Sequence, residues 1–149
     1  MIPTIDNARP EDADALGGIL SDWIDETAWM PRLHTRGQDR DFVADLIRAG
    51  GVLVARKGQT PVGFLFERHC HLGALYVGTT ARRSGVGSRL LDRAKSDCER
   101  LNLWTFAANG QARRFYEHAG FRIVDQTEGN NDEGLPDIRM AWNRETENG

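Results

Sequence analysis

The sequence predicts an α+β fold, a twisted, mixed but mostly antiparallel sheet of about seven strands with four helices distributed over both faces. Two observations carry this prediction. Strand and helix patterns follow one another in the order β, α, α, β, β, β, α, β, α, β, β, and a strand–helix–strand unit over residues 71–108 requires one parallel pair among the strands. The chain has 149 residues, 40% of them hydrophobic, which is the size of a single domain spanning residues 1–149.

The first strand and helix are predicted from residues 3–24. Residues 3–9 are typical of a strand. Pro10 suits the first position of a helix, and the acidic residues that follow favour the positive end of the helix dipole. Apolar residues then recur at helical spacing over residues 16–24.

The second helix is predicted from a capping pattern. Thr35 and Gln38 have the spacing of a capping box, and an apolar stripe follows over residues 42–47. The pattern ends at Gly50 and Gly51, which are typical of a helix end. The segment before it, 28–34 (AWMPRLH), is predicted to be a loop.

The remaining elements follow from turn and glycine positions. Residues 51–77 predict three strands joined by two turns, and a third helix with Cys98 on its apolar face is expected to run from the loop at 82–87 to about Arg100. The last predicted elements are a strand at 101–108, a helix at 111–119 closed by Gly120, and strands at 121–124 and 137–142 joined by the loop 126–136.

Composition excludes several classes of function. The net charge of −3, with acids and bases interspersed, argues against a nucleic-acid-binding protein. No apolar stretch approaches eighteen residues and the first residues lack a secretory pattern, so no contact with a membrane is expected. Cys70 and Cys98 are two isolated cysteines and are expected to be unpaired, which favours a reducing, cytoplasmic location.

The segment RRSGVG (82–87) is predicted to bind an anion. Backbone amides at the start of a helix lack internal partners, and Gly85 and Gly87 let an anion approach them closely. Arg82 and Arg83 add positive charge at the same point. Two glycines also permit an ordinary tight turn, and neither standard nucleotide-binding pattern is present, so the loop alone indicates only an anion site.

A second segment, NGQARRFYEHAGF (109–121), makes the prediction more specific. It resembles the asparagine–helix–tyrosine segment of the GCN5-related N-acetyltransferase (GNAT) superfamily, and RRSGVG resembles that family's acetyl-CoA pyrophosphate signature. The order of elements is also similar, so the resemblance covers nearly the whole chain and is strongest over residues 71–125.

The resemblance implies acetyl-CoA as co-substrate and a role for each matching residue. Backbone groups of Leu75, Tyr76 and Val77 would contact the pantetheine arm, and Asn109 would lie near its sulfur end. Tyr116 would lie beside the thioester sulfur, where a neutral phenol can protonate the departing thiolate. The residues implied to surround the pyrophosphate are Arg82, Arg83, Ser84, Gly85, Val86, Gly87 and Ser88.

His71 is the candidate general base. Side chains alternate along a strand, so His69, His71, Gly73 and Leu75 are expected on one face. His71 lies six residues before Val77, where several members of the resembled family keep a Glu or His as base. Histidine also titrates near neutrality, which suits proton uptake.

The same segment offers other candidate bases and candidate metal ligands. His69, Glu67 and a chain of water molecules are alternatives to His71 as base. His69, Cys70 and His71 could ligate a metal. Cys70 is expected on the opposite face and two histidines lack further ligands, so no metal site is predicted.

The acceptor is expected near the first two helices and the last strands. Trp29, Met30 and His34 are the candidate acceptor-binding residues, because large apolar groups beside proline are unusual in an inert loop. Aromatic rings and nearby carboxylates would suit a cationic amine, although a solvated acidic surface is equally consistent. These carboxylates are Asp22, Asp25, Glu26, Asp125, Glu128, Asp132, Glu133 and Asp137.

The resulting prediction is an acetyl-CoA-dependent N-acetyltransferase that acts on the primary amine of a small molecule by direct attack in a ternary complex. The alternatives are a protein lysine or N-terminal acetyltransferase and a non-catalytic acyl-CoA-binding module. Homodimers are common on the resembled scaffold, so a homodimer is a further expectation by analogy.

Overall fold

A computed structural model describes residues 2–145. The strands are β1 (Thr4–Asn7), β2 (Val52–Lys57), β3 (Thr60–Arg68), β4 (His71–Val77), β5 (Arg100–Phe106), β6 (Arg122–Thr127) and β7 (Asp137–Asn143). The helices are α1 (Ala13–Glu26), α2 (Arg36–Ala49), α3 (Val86–Ser96) and α4 (Gly110–His118), with 3-10 turns at Pro10–Asp12 and Thr79–Ala81.

All seven strands form one sheet in the order β1-β2-β3-β4-β5-β7-β6. Every neighbouring pair is antiparallel except β4 and β5, which are parallel and joined through α3. The predicted α+β architecture, with one parallel pair in a mostly antiparallel sheet, is confirmed.

Each face of the sheet is covered by one pair of helices. Apolar residues of α1 and α2, including Leu16 and Val43, pack against Phe64 and its neighbours in one buried cluster. Residues of α3, including Leu90, form a second cluster with Leu103 on the other face. Burial of these stripes is the main driving force for the fold. None of the helices within residues 2–145 has the length and hydropathy needed to span a bilayer.

The predicted capping signals are confirmed. The hydroxyl of Thr35 accepts from the Gln38 amide at 3.1 Å, and the Gln38 side chain accepts from the Thr35 amide at 2.8 Å. The helix ends at Gly50, which has a φ of 88° that glycine adopts without strain. Pro10 begins a 3-10 turn instead of α1 itself.

The prediction that the two cysteines are unpaired is wrong, because Cys70 and Cys98 form a disulfide with their Cα atoms 6.0 Å apart. α3 ends at Ser96, before the expected Arg100, so Cys98 lies in the connection to β5. His69 and Cys70 form the β3–β4 turn with φ values of 54° and 60°, which brings Cys70 to that connection. A reducing, cytoplasmic location therefore loses the support that unpaired cysteines gave it.

Strands β4 and β5 diverge close to a bulge in β4. They pair at only two positions, His71 with Asn102 and Leu72 with Leu103. Beyond this point Phe66 of β3 pairs with Ala74 whereas Glu67 pairs with Leu72, so Gly73 is an extra residue in β4. A Cβ atom on Gly73 would lie 2.8 Å from the Phe66 ring, so this position requires glycine.

Candidate active site

A cavity of about 590 Å³ lies between the diverging ends of β4 and β5. Its wall contains nearly all of the cofactor-binding residues predicted from the sequence. Those that line it are Leu75, Tyr76, Val77, Arg82, Arg83, Gly85, Val86, Gly87, Ser88, Asn109 and Tyr116. Ser84 is outside the lining, and its hydroxyl donates to the Ala81 carbonyl oxygen.

The start of α3 presents backbone amides to this cavity. Gly85 is the N-cap in a left-handed conformation with a φ of 84°, and no side chain caps the helix. The first backbone hydrogen bond of the helix runs from the Arg89 amide to the Gly85 carbonyl oxygen, at 3.0 Å. The amides of residues 86–88 come before it and therefore have no partner within the helix. A Cβ atom on Gly87 would lie 3.4 Å from the Phe115 ring. The amides, the helix dipole and the small residues together fit a phosphate group.

Arg82 is already oriented by neighbouring groups. Its Nε donates to the Val77 carbonyl oxygen at 3.0 Å, and its Nη1 donates to Glu26 at 2.9 Å. Arg83 follows with a φ of 64°, a conformation uncommon for an arginine. The positive charge predicted for this loop therefore lies on the cavity wall.

Tyr116 lies at the inner part of the cavity wall. Its side chain is 7% exposed and packs against Phe115 and Phe121 at ring distances of 5.2 Å and 5.4 Å. Burial, and to a smaller extent Tyr76, raises the pKa of the Tyr116 phenol, so this group is neutral at physiological pH. A buried neutral phenol can donate a proton.

Asn109 positions the helix that carries Tyr116. Its side-chain oxygen accepts from the Ala112 amide at 3.1 Å and so caps α4. The same residue lines the main cavity and a neighbouring cavity of about 360 Å³.

A row of aromatic rings crosses the gap between β4 and β5. The Tyr76 ring of β4 lies 5.2 Å from Trp23 of α1, Trp23 lies 5.9 Å from Trp29, and Trp29 lies 5.7 Å from Phe106 of β5. Burial raises the pKa of Tyr76 to about 12, with smaller contributions from the charges of Glu133 and Asp39. This aromatic row is mainly apolar, with ring faces that attract a cation.

Of the three predicted acceptor-binding residues, Trp29 lines the smaller of the two cavities described above. Met30 and His34 are absent from the lining of both cavities described above. Arg32 holds the loop 28–34 in place. It donates hydrogen bonds to Asp25, Asp39 and the carbonyl oxygens of Ser21 and His34.

The first-helix carboxylates are not open sites for a cationic amine. Asp22 pairs with Arg36, and Asp25 pairs with both Arg32 and Arg36. Hydrogen bonds from Arg32 are the main cause of a lowered pKa at Asp25. The role of these aspartates in binding the acceptor stays a prediction, and their pairing with arginines favours the alternative of a solvated acidic surface.

His71 does not line the main cavity. Its Nδ1 lies 2.6 Å from the Asn102 Oδ1, at the closed end where β4 and β5 pair. The expected shared face is wrong, because the extra residue Gly73 interrupts the alternation and His69 belongs to the preceding turn. The role of His71 as base stays a prediction without support from the geometry of the cavity.

Potential metal ligands do converge near this closed end. Ligand atoms of Glu67, Cys70 and Cys98 lie within 4.8 Å of one another. Both sulfurs belong to the disulfide, so neither is available as a thiolate ligand in this state.

Several cavity residues were not predicted to form the site. They lie in or next to α1, β4, β5 and α4 and in the turn before α3, and their place follows from the tertiary arrangement of these elements. The residues are Thr27, Leu72, Gly73, Ala74, Ala81, Trp104, Thr105, Phe106, Gln111, Ala112 and Phe115, together with Trp23 and Glu26, which the sequence predicts only near the acceptor.

The fold defines a class of protein, an α+β fold with a cleft between two diverging strands of one sheet. A family model described as "Acetyltransferase (GNAT) domain" matches residues 41–144, and the chain belongs to this family. It is an acetyl-CoA-dependent N-acetyltransferase.

The chain is similar to several named proteins. It is 28% identical over 129 residues to the peptidyl-lysine N-acetyltransferase YjaB of Escherichia coli, covering 86% of this chain and 88% of that protein. The solution structure of apo YjaB superposes with a TM-score of 0.81 at 26% identity, covering 95% of this chain and 98% of the other. The blasticidin-S acetyltransferase of Streptomyces morookaense is 27% identical over 118 residues, covering 64% and 84% of the two chains.

Proposed function

We propose that this acetyltransferase acts on a primary amine at the end of an aliphatic stem, and that the lysine side chain of a peptide or protein is its acceptor. The observation that carries this proposal is the aromatic row of Tyr76, Trp23, Trp29 and Phe106, which crosses the gap between β4 and β5. Three of these rings, Tyr76, Trp23 and Phe106, line the same cavity as Tyr116, and Trp29 lines the neighbouring cavity.

The aromatic row suits a lysine side chain in two ways. Methylene groups gain free energy when they are buried against rings, and an ammonium group is attracted to ring faces. The carboxylates at the end of α1 are paired with arginines, so they do not compete for this ammonium. The name of the relative YjaB, a peptidyl-lysine N-acetyltransferase, favours the same acceptor class.

The donor would be held by the residues that line the other part of the cavity. The amides of residues 86–88, with Arg82 and Arg83, would bind the diphosphate of acetyl-CoA. Backbone groups of residues 75–77 would contact the pantetheine arm, with Asn109 near its sulfur end. The bound thioester supplies the acetyl group.

The chemistry is direct acyl transfer. The amine nitrogen bonds to the thioester carbonyl carbon, the carbon–sulfur bond breaks, and the sulfur takes a proton from the hydroxyl of Tyr116. The resulting phenolate is disfavoured by burial and recovers a proton from the nitrogen. An acceptor that arrives as an ammonium ion loses its first proton to water in the cavity, so each turnover releases one proton.

A small-molecule amine, the acceptor predicted from the sequence, is the second candidate. The row of rings is also consistent with a pocket for a free amine, and one relative carries the name of a small-molecule acetyltransferase, blasticidin-S acetyltransferase. A small amine would use the same donor residues and the same Tyr116.

The experiment compares acceptors by release of free thiol from acetyl-CoA. Peptides that contain lysine and have a blocked N-terminus are compared with free polyamines, amino acids and aminoglycosides, and a peptide with norleucine in place of lysine is the control. Faster release with the lysine peptide supports the proposal, whereas release only with free amines favours the second candidate. Binding of CoA without thiol release for any acceptor would favour a non-catalytic binding module.

A further inference from the structure

Glu26 joins the end of α1 to the loop before α3. Its Oε2 accepts from Arg82 Nη1 at 2.9 Å, and its Oε1 accepts from the hydroxyl of Thr79 at 2.9 Å. Both carboxylate oxygens are thus bound by the segment that leads into the diphosphate loop. Hydrogen bonds from Arg82 and then Thr79 are the main causes of a lowered pKa at Glu26, so the carboxylate stays ionised.

The orientation of Arg82 depends on two fixed acceptors. Its Nε donates to the Val77 carbonyl at the end of β4, and its Nη1 donates to Glu26. A guanidinium group has five N–H donors in a rigid plane, so these two bonds fix the direction of the remaining edge. Arg82 lines the cavity together with Glu26, and within residues 2–145 its Nη2 makes no hydrogen bond.

We propose that Glu26 is a positioning residue, which holds the guanidinium of Arg82 so that its free edge binds the diphosphate of acetyl-CoA. This inference rests on the proposed use of the cavity by acetyl-CoA. Glu26 is not proposed as the base, because hydrogen bonds from Arg82 and Thr79 lower its pKa and so make it a weaker proton acceptor.

The direction in which acetyl-CoA affinity changes when Glu26 is neutralised distinguishes a positioning role from simple charge repulsion. Glu26 is a negative charge near the site of an anionic ligand, so by Coulomb repulsion alone its neutralisation should tighten binding. Loss of a positioning group should instead weaken binding, because Arg82 would have to be ordered by the ligand itself.

The test compares Glu26→Gln with the unchanged enzyme, using two acetyl donors. Acetyl-CoA has the diphosphate, whereas S-acetylpantetheine lacks it. We expect the KM for acetyl-CoA to rise about five- to tenfold, as a charge-assisted hydrogen bond of a preorganised arginine is lost. We expect kcat/KM for S-acetylpantetheine to stay within about twofold, since this donor does not contact the free edge of Arg82.

The matched control is Asp22→Asn, which removes the same kind of exposed ion pair one helical turn earlier. Asp22 binds Arg36 of α2 and does not line the cavity, so both donors should keep their kinetic constants. Adding Glu26→Gln to Arg82→Gln should cause little further loss, because the carboxylate acts through the arginine.

Three results would overturn the inference: tighter binding of acetyl-CoA, an unchanged KM, or an equal loss for both donors. The last would indicate general damage to α1. Failure of the proposed function is distinguishable, because it would appear in the unchanged enzyme itself, as acetyl-CoA that releases no thiol with the lysine peptide.

Discussion

The Nδ1 atom of His71 lies 2.6 Å from the Oδ1 atom of Asn102, at the place where β4 and β5 pair before they diverge. The imidazole is therefore bound to a neighbouring strand at the closed end of the cleft, and it is not part of the cavity wall. A general base must reach the proton that it removes, directly or through one water molecule.

We expect His71→Gln to leave kcat within about threefold of the unchanged enzyme, because a group outside the cavity does not supply the factor of about 10² to 10⁴ that general bases contribute. The measurement is the pH dependence of kcat/KM with a saturating second substrate. A hundredfold loss of kcat, together with loss of the acidic limb of the pH profile, would instead indicate that His71 is the general base.

Tyr116→Phe should lower kcat by about a hundredfold, since it removes the proton donor for the thiolate. The KM for acetyl-CoA should change by less than about twofold, because the ring and its packing are kept. Thermal unfolding of the variant is the control for intact packing. An unchanged kcat would remove Tyr116 from the mechanism.

The raised pKa of Tyr116 also predicts how kcat of the unchanged enzyme depends on pH. Because burial raises this pKa above the usual value of about 10, the phenol stays protonated across the range of the assay. The kcat should therefore show no loss from phenol ionisation up to about pH 10. A decline centred near pH 9 that disappears in Tyr116→Phe would contradict the buried, neutral phenol.

The parts of the molecule that the sequence predicted correctly have local causes. Thr35 and Gln38 form a capping box through contacts three residues apart, so their spacing alone is sufficient. The loop around Gly85 likewise depends on one short segment that begins a helix. Such features can be predicted without knowing the tertiary contacts.

The predictions that were wrong concern features that depend on contacts between segments distant in the sequence. The bulge at Gly73 is a feature of the pairing between β3 and β4, and it changes the face of the sheet on which His71 lies. The disulfide joins residues 28 positions apart, and its pairing depends on the turn that places Cys70 beside the end of α3. Sequence periodicity contains neither relationship.

The buried ion pair of Asp12 and Arg56 should make stability depend on acid. The two side chains are 5% and 8% exposed, and two hydrogen bonds of 2.9 Å and 2.7 Å join them. Burial alone would raise the pKa of Asp12, but hydrogen bonds from Arg56 and from the Arg9 amide lower it overall. A lowered folded-state pKa stabilises the fold above the unfolded value of about 3.9, and this stabilisation is lost as pH falls through the folded value.

Asp12→Ala should reduce the free energy of unfolding at pH 7 by about 3–5 kcal/mol, because it leaves the Arg56 charge buried without its partner. Urea unfolding at pH 7 and at pH 3 measures this, and the difference between variant and unchanged protein should shrink at the lower pH. An equal difference in the free energy of unfolding at pH 7 and pH 3 would contradict a stabilising ion pair between Asp12 and Arg56.

The Cys70–Cys98 disulfide should stabilise the fold by about 2–4 kcal/mol, since it closes a loop in the unfolded chain. Urea unfolding with and without a phosphine reductant measures the effect. The double variant Cys70→Ala and Cys98→Ala is the control, because the reductant should not change its midpoint. Detection of two free thiols in the untreated, unfolded protein would contradict the pairing.

The central claim is that the uncapped start of α3 binds the diphosphate of the coenzyme, and Ser88→Glu tests it. Ser88 lies in the first turn of α3 on the cavity wall. A carboxylate there should stabilise the free protein by about 0.3–1 kcal/mol through the helix dipole, while it repels an anionic ligand. Gly37→Glu is the matched control, because it places the same charge in the first turn of α2, which does not line the cavity.

The decisive measurement is a calorimetric titration of CoA into the unchanged protein and these two variants. We predict that the dissociation constant rises at least about tenfold for Ser88→Glu and is unchanged for Gly37→Glu. Equal affinity for CoA in all three proteins would contradict the account.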